Sequence, residues 1–245
     1  MHRFFLKETF AKEMTITGLD AHHIIKVLRM PVGEKIQIVS SDQVSAIMEI
    51  SALTVDAAFV RFVDYIEDSH EPQVEIILAQ GLPKGEKMDY IVQKATELGV
   101  TAIIPLRMER SIVKLVAEKA EKKRERWQKI VAEAAKQSKR DIIPQVMPVT
   151  SLKQLFASYN ENIIMAYEAE QTVSLKSVLS SLKPIRQIIL IIGPEGGIAK
   201  EEITLAQNSG VKFVSLGKRI LRTETAGVAA IAAILYETGD LGGHK

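Results

Sequence analysis

Two short segments in the last third of the chain carry residues that could bind a ligand or do chemistry. Residues 193–197 read Gly-Pro-Glu-Gly-Gly, and residues 216–226 read Leu-Gly-Lys-Arg-Ile-Leu-Arg-Thr-Glu-Thr-Ala. Three glycines and a proline within five residues predict a tight turn whose main chain a ligand can approach. The second segment crowds arginines, a glutamate and two threonines into one connection, and such a polar cluster needs partners or a function.

Motifs for several other chemistries are missing from the sequence. No Gly-Lys-Ser/Thr follows the glycine-rich turn, and the glycine spacing of a dinucleotide-binding loop is absent. The chain has no cysteine and no His-Glu-x-x-His, so no metal site is predicted. A serine nucleophile in a Gly-x-Ser-x-Gly turn is also missing. The sequence therefore favours a ligand pocket made largely of main chain.

Alternating strands and helices after residue 71 should position these segments. Continuous apolar runs between amphipathic helical stretches indicate a mainly parallel sheet with helices on both faces. Ligands bind such sheets at the carboxyl ends of the strands. We therefore expect the loops that begin at Glu168, Gly193 and Gly217 to converge on one pocket. The predicted strands span residues 74–79, 102–106, 162–167, 188–192 and 211–216, and the predicted helices span residues 86–98, 118–139, 174–182, 200–209 and 225–237.

The first 70 residues follow a different pattern. Apolar and polar residues alternate over 33–40, and short β-rich runs follow at 44–50 and 57–63, which predicts a small barrel or sandwich. Residues 21–30 have helical spacing and predict a short helix on it. The pattern changes near His70, so we expect domains at residues 1–70 and 71–245.

The charge distribution and the composition indicate what kind of partner the protein binds and in which compartment it works. The net charge is only +2, but residues 107–140 hold 12 Lys and Arg against 5 Glu, which indicates a polyanionic partner. The longest apolar run, residues 228–236, is too short to span a bilayer, and no secretion signal is visible. With no cysteine, the protein is expected to be soluble and cytoplasmic, without a membrane partner.

The two segments resemble the ribosomal RNA small-subunit methyltransferase E family of the SPOUT superfamily. The resemblance covers nearly the whole chain in order. Outside the two segments it rests on His23, Val27, Leu28, Arg29, Lys84, Lys87, Asp89, Ile91, Lys94, Glu97, Leu98, Gly99, residues 107–111, Trp127 and residues 137–140. One departure is Ile198-Ala199, where the family commonly has an aromatic residue and then Ser or Thr. Ala199 cannot cap the following helix with a side chain.

The resemblance implies a fold, a cofactor and a reaction. Residues 1–70 would form a PUA-like β-barrel that helps to hold RNA, and residues 71–245 would form an α/β domain with a deep trefoil knot. The cofactor would be S-adenosyl-L-methionine. The reaction would be methylation of N3 of a uridine in 16S ribosomal RNA, giving 3-methyluridine, and the enzyme would be a homodimer.

For the reaction that the resemblance implies, we assign candidate residues to each role from their types and their places in the predicted loops. Arg222 is the candidate for stabilising charge on the uracil ring, in the manner of an oxyanion hole. Glu224 is either a general base or, as we favour, a structural partner of Arg219 or Arg222. The predicted cofactor-binding residues are Ala166, Tyr167, Glu168, Ile192, Gly193, Pro194, Gly196, Gly197, Ser215, Leu216, Gly217, Ile220, Leu221 and Thr223. The predicted RNA-binding residues are Arg3, His23, Arg29, Lys84, Lys87, Arg110, Lys139 and Arg140.

Three alternative functions stay open at this level. A ribose 2′-O-methyltransferase belongs to the same superfamily, but the segment around Arg222 and the N-terminal barrel favour a base methyltransferase. A non-catalytic RNA-binding protein could keep the fold without turnover. A generic nucleotide-binding α/β enzyme is disfavoured because the phosphate-loop motifs are missing.

Overall fold

The computed structural model describes residues 1–67, 69–111, 117–182 and 184–243, and the chain forms two compact units. The first unit combines Met1–Glu71 with Ala135–Ile142, and the second combines Pro72–Ala134 with Ile143–Lys245. The first unit thus takes one segment, Ala135–Ile142, from well beyond the boundary expected near residue 70. The roles expected for the two domains stay predictions.

The first unit is a five-stranded, mostly antiparallel sheet with its own apolar core. The predicted strands at 33–40, 44–50 and 57–63 are present, because alternate residues such as Ile36, Ile38 and Met48 are fully buried. Helical residues start earlier than predicted, at Gly18, and pack Ile24 into this core. The elements are β1 (Arg3–Phe5), β2 (Glu13–Thr17), α1 (Gly18–His22) with a π-helical turn (His23–Val27), β3 (Lys35–Val39), β4 (Ser45–Leu53) and β5 (Ala57–Tyr65), in the sheet order β1-β3-β4-β5-β2.

The second unit is built on a parallel sheet, as predicted. Every recorded strand pair in it is parallel. Its main path has the order β12-β10-β11-β6-β7-β8, and β9 pairs with β7. The elements are β6 (Glu75–Gly81), α2 (Lys87–Leu98), β7 (Ala102–Arg107), α3 (Ala117–Gln137), β8 (Gln145–Val146), β9 (Thr150–Ser151), α4 (Leu152–Ser158), β10 (Ile163–Ala166), α5 (Leu175–Ser181), β11 (Gln187–Ile192), α6 (Lys200–Asn208), β12 (Lys212–Val214) and α7 (Thr223–Thr238).

Both faces of this sheet are covered. In β6, Ile76 and Leu78 point into one apolar cluster with α2, α5 and α7, whereas Ile77 and Ala79 point into a second cluster with α4 and α6. Such burial on both faces explains why the strands read as continuous apolar runs. The trefoil knot implied by the resemblance stays a prediction. Among the described residues, no helix has the length and apolar character needed to cross a bilayer.

Candidate active site

A cavity of about 570 Å³ opens at the carboxyl ends of three neighbouring strands. Strand β10 pairs with β11 on one side and β12 on the other, so the loops that leave these strands lie side by side. All fourteen residues predicted to bind the cofactor line the cavity, and so does Arg222. The remaining lining residues are Lys87, Glu195, Ile198, Lys218, Arg219 and Ala226.

Glycines let the turn after β11 pack closely against its neighbours. A Cβ atom on Gly196 would lie 2.7 Å from the carbonyl oxygen of Arg110. Gly197 has a left-handed φ of +75°, and a Cβ atom there would lie 3.0 Å from the Glu168 carboxylate. The Gly197 amide donates to the carbonyl of Pro194 at 2.9 Å, which closes the turn. The sequence 193–197 therefore forms the tight turn that its composition predicts.

Helix α6, which follows this turn, begins without a side-chain cap. The first-turn carboxylate of Glu202 accepts from the Ala199 amide at 3.0 Å and from the Glu109 amide at 2.9 Å. Glu202 therefore satisfies the Ala199 amide, which is one half of a capping box; the other half, a Ser or Thr oxygen that accepts from the Glu202 amide, is missing because residue 199 is alanine. The second acceptance ties α6 to the segment that follows β7.

An ion triad joins three elements beside the cavity. The Lys87 ammonium lies 2.9 Å from the Glu195 carboxylate and 3.2 Å from the Glu224 carboxylate. The hydrogen bond to Glu195 is the main reason why the pKa of Lys87 is raised. Burial raises the pKa of Glu195, but the contacts with Lys87 and the Lys84 amide outweigh it and lower this pKa below its ordinary value. Lys87 and Glu195 therefore stay charged at neutral pH.

Glu224 thus has a different partner from the one expected. We expected it to pair with Arg219 or Arg222, whereas the structure pairs it with Lys87 at the start of α2. Glu224 is not among the residues that line the cavity, and its side chain is only 18% exposed. The structural interpretation of Glu224 is consistent with this position.

Residues 217–220 and Arg222 are exposed and line the cavity, and Leu221 between them is half-buried. Arg222 directly precedes α7. Both Arg222 and Arg219 are exposed and line the cavity. Ile220, predicted to form an apolar wall, also lines the cavity but is 87% exposed. Two guanidinium groups are therefore available at the mouth of the pocket.

The loop after β10 is held by one of its own carboxylates. Glu170 accepts from the Thr172 hydroxyl at 2.6 Å, the Thr172 amide at 2.8 Å and the Val173 amide at 2.9 Å. The Thr172 hydroxyl, followed by the two amides, lowers the pKa of Glu170 to about 2. These bonds order the loop that brings Tyr167 and Glu168 to the cavity.

Known proteins resemble the chain over its whole length. A family model for an RNA methyltransferase domain matches residues 70–235, and a model for an RNA methyltransferase PUA domain matches residues 16–63. The Bacillus subtilis protein named ribosomal RNA small subunit methyltransferase E is 39% identical over 257 residues, with 100% of both chains covered. The chain belongs to the ribosomal RNA small subunit methyltransferase E family.

Two solved relatives share the fold. The ribosomal RNA small subunit methyltransferase E of Neisseria gonorrhoeae, bound to S-adenosyl methionine, is 32% identical with a TM-score of 0.84. That match covers 96% of this chain and 97% of the other. A Legionella pneumophila protein, described in complex with the bound cofactor SAM, is 31% identical with a TM-score of 0.83 and 96% of both chains covered.

Two of the arginines predicted to bind RNA are buried inside the first unit. The Arg3 side chain is 1% exposed, and its guanidinium lies 2.5 Å from the carbonyl oxygens of Lys139 and Arg140 and 2.9 Å from the Asp141 carboxylate. The Arg140 side chain is 3% exposed and pairs with Glu71. The prediction that Arg3 and Arg140 contact RNA directly is therefore wrong, because both guanidiniums are engaged inside the fold.

The other residues predicted to bind RNA differ in accessibility. Arg29, Lys84, Arg110 and Lys139 are exposed, and their RNA contacts stay predictions. His23 is half-buried, with its ring 6.2 Å from the ring of Phe4. Lys87, by contrast, lines the cavity between two carboxylates, so its ammonium is not an open phosphate contact.

The position of Lys87 could have been inferred from the sequence. Residues 82–87 follow β6, which pairs with β11 in the same parallel sheet, so this loop also leaves a carboxyl end. Ligands bind at such ends, so residues 82–87 are expected at the cavity for the same reason as the loops after β10, β11 and β12. No sequence pattern predicts that Lys87 pairs with Glu195, because Glu195 lies 108 positions further along the chain.

Proposed function

We propose that the chain transfers a methyl group from S-adenosyl-L-methionine to N3 of a uridine in 16S ribosomal RNA, giving 3-methyluridine. The observation that carries the proposal is the single cavity lined by the loops after β10, β11 and β12. Family membership supports methyl transfer to small-subunit ribosomal RNA, and the choice of uridine N3 follows from the family resemblance.

The cavity suits the cofactor in size and in lining. Its volume of about 570 Å³ lies within the range of roughly 300–1,000 Å³ that is typical of small-ligand sites. Ile192, Leu216 and Leu221 offer apolar walls to the adenine, and main-chain groups of residues 166–168, 193–197 and 215–217 are available for the ribose and the methionine end. When bound, the cofactor supplies an electrophilic methyl sulfonium.

Arg222 is the residue proposed to act on the uridine. Methylation at N3 is easier from the anion, so a positive charge beside the ring oxygens lowers the barrier as the N3 proton leaves. Arg222 is exposed, lines the cavity and directly precedes the ordered helix α7. Its guanidinium is permanently charged and can donate two hydrogen bonds in a fixed geometry.

The proton from N3 is proposed to leave to solvent. Glu224 is excluded from the cavity lining, and its carboxylate is paired with Lys87. Lys87 has a raised pKa and so holds its own proton at neutral pH, which makes it a poor base. The rate should therefore rise with pH as more of the uridine is deprotonated.

We also propose that the protein binds RNA, forms a homodimer and is located in the cytoplasm. The exposed cations Arg29, Lys84, Arg110 and Lys139 would contact phosphates, which positions the RNA without choosing its sequence.

Helix α7 leaves Tyr236 70% exposed, and a face with such a side chain could pack against a second copy. Sedimentation of the purified protein tests the dimer.

The reaction is tested by nucleoside analysis. Small ribosomal subunits and bare 16S RNA from a strain that lacks the corresponding gene are incubated with the protein and the methyl donor, then digested and analysed by mass spectrometry. A new 3-methyluridine supports the proposal. A 2′-O-methylated nucleoside would instead support the ribose methyltransferase, and RNA binding without any methylation would support the non-catalytic alternative.

A further inference from the structure

Two buried polar side chains connect the segments that form the cavity. Gln80, near the end of β6, is 0% exposed, and Thr223, the first residue of α7, is 6% exposed. The Gln80 amide nitrogen donates to the Thr223 hydroxyl oxygen at 2.9 Å, and the Thr223 hydroxyl donates to the carbonyl of Gly193 at 2.7 Å. Gly193 opens the turn after β11, so the chain of bonds runs from β6 through α7 to this turn.

The direction of these bonds is fixed by the groups at both ends. The Gln80 nitrogen also lies 3.0 Å from the carbonyl of Gly81, which can only accept, so the amide must point its NH₂ group this way. The carbonyl of Gly193 likewise can only accept, so the single hydroxyl hydrogen of Thr223 is directed to it. The hydroxyl hydrogen of Thr223 is thereby committed to Gly193 and is not available to a ligand.

The buried amide oxygen of Gln80 lowers the stability of the fold. It has no hydrogen-bond partner among the described residues. Such an unsatisfied buried group destabilises a fold. An apolar side chain of similar size would avoid this penalty, as Leu78 does two residues earlier on the same strand face. The glutamine is therefore better explained by the bond that it makes than by packing.

We propose that Gln80 and Thr223 are positioning residues that hold the turn 193–197 at a fixed distance from the start of α7. The inference rests on the proposed function, because both of these segments line the cofactor cavity. Thr223 then acts on the cofactor through Gly193 rather than through its own hydroxyl. It also fixes the helix start that directly follows Arg222.

The first experiment compares two substitutions of one residue. Thr223→Val keeps the shape of the side chain but removes the hydroxyl, and the dissociation constant for S-adenosyl-L-methionine, measured by calorimetry, should rise about 3- to 10-fold. Thr223→Ser keeps the hydroxyl and should restore most of the lost affinity. Equal loss in both variants would overturn the proposal, because the methyl group rather than the hydroxyl would then be responsible.

A matched control separates positioning from general stability. Thr96 is also fully buried, and its hydroxyl donates to the carbonyl of Val92 within α2, away from the cavity lining. Thr96→Val should lower the urea midpoint of unfolding and leave cofactor affinity unchanged. If it weakens cofactor binding as much as Thr223→Val does, affinity follows stability alone and the proposal is wrong.

A double-mutant cycle tests the connection between the two residues. Gln80→Met removes the donor to Thr223, and its cost in unfolding free energy should be smaller when Thr223 is already valine, because the bond between the two residues is then already lost. Additive effects would overturn the proposal. The cycle is measured by urea unfolding of the protein alone, so it remains decisive if the wild-type chain fails to bind S-adenosyl-L-methionine, a result that would refute the proposed function instead.

Discussion

Replacement of Gly196 by alanine tests the close packing on which the cofactor cavity depends. The backbone of Gly196 does not have a left-handed φ, so alanine can adopt its conformation and only the added methyl group matters. That methyl group would lie 2.7 Å from the carbonyl oxygen of Arg110 and 2.9 Å from its Cβ atom. Backbone cannot yield as a flexible side chain does, so the turn or its neighbour must move.

The size of the effect follows from these distances. An ordinary contact begins at 3.4 Å, so the 2.7 Å contact requires a displacement of 0.7 Å. Overpacking of this kind costs about 1–3 kcal/mol. If this free energy is lost from cofactor binding, the dissociation constant for S-adenosyl-L-methionine rises about 5- to 150-fold.

Calorimetric titration with S-adenosyl-L-methionine measures this change, and Gly227→Ala is the matched control. Gly227 lies inside α7, where a Cβ atom would meet its nearest neighbour at an ordinary 3.5 Å. The control should therefore bind like the wild type and gain stability from better helix propensity. Wild-type affinity in Gly196→Ala, or an equal loss in the control, would refute the steric argument.

Three further substitutions test other parts of the account. Lys87→Met leaves Glu195 without its counter-ion and should weaken cofactor binding at most about 5-fold, since the pair is partly exposed; a calorimetric loss far above this would mean that Lys87 binds the cofactor directly. Arg222→Ala should lower kcat about 100- to 1,000-fold at unchanged cofactor affinity, and unchanged turnover of RNA would exclude its role. Asp141→Asn should cost about 2–4 kcal/mol in urea unfolding at pH 7, because Arg3 stays buried without its carboxylate. Burial raises the pKa of Asp141, but the hydrogen bonds from His70 and Ser45 outweigh it and lower this pKa below 3.8, so its contribution is present above pH 3.8 and lost as the pH falls through the folded value. The difference between wild type and Asp141→Asn should therefore shrink at pH 3, and a constant difference would contradict this assignment.

Local patterns were sufficient to predict the parallel sheet and the convergence of its loops. Continuous apolar runs mark strands buried on both faces, and the carboxyl-end rule then places residues 193–197 and 216–226 together without any contact information. Strands β8 and β9 were not predicted, because two residues carry too little periodicity to be detected. The seven-residue helix α4 was not predicted either. Strand β1 was missed because it has only three residues, whereas β2 alternates exposed and buried residues and could have been predicted from that pattern.

Long-range pairing of charged side chains could not be predicted from the sequence. Nothing in the sequence distinguishes Arg3 from the other cations, yet contacts with Lys139, Arg140 and Asp141 hold its guanidinium inside the fold. Glu224 was expected to pair with an arginine nearby in the chain, yet its partner is Lys87. Each choice depends on which segments the fold brings together, and composition does not encode that.

The most direct test of the account is a calorimetric titration of the wild-type protein with S-adenosyl-L-methionine. The cavity formed by the three loops predicts saturable binding at one site per chain, weakened in Gly196→Ala and retained in Gly227→Ala. Absence of binding by the folded wild-type protein, or binding that neither substitution changes, would contradict the claim that these loops form the cofactor site.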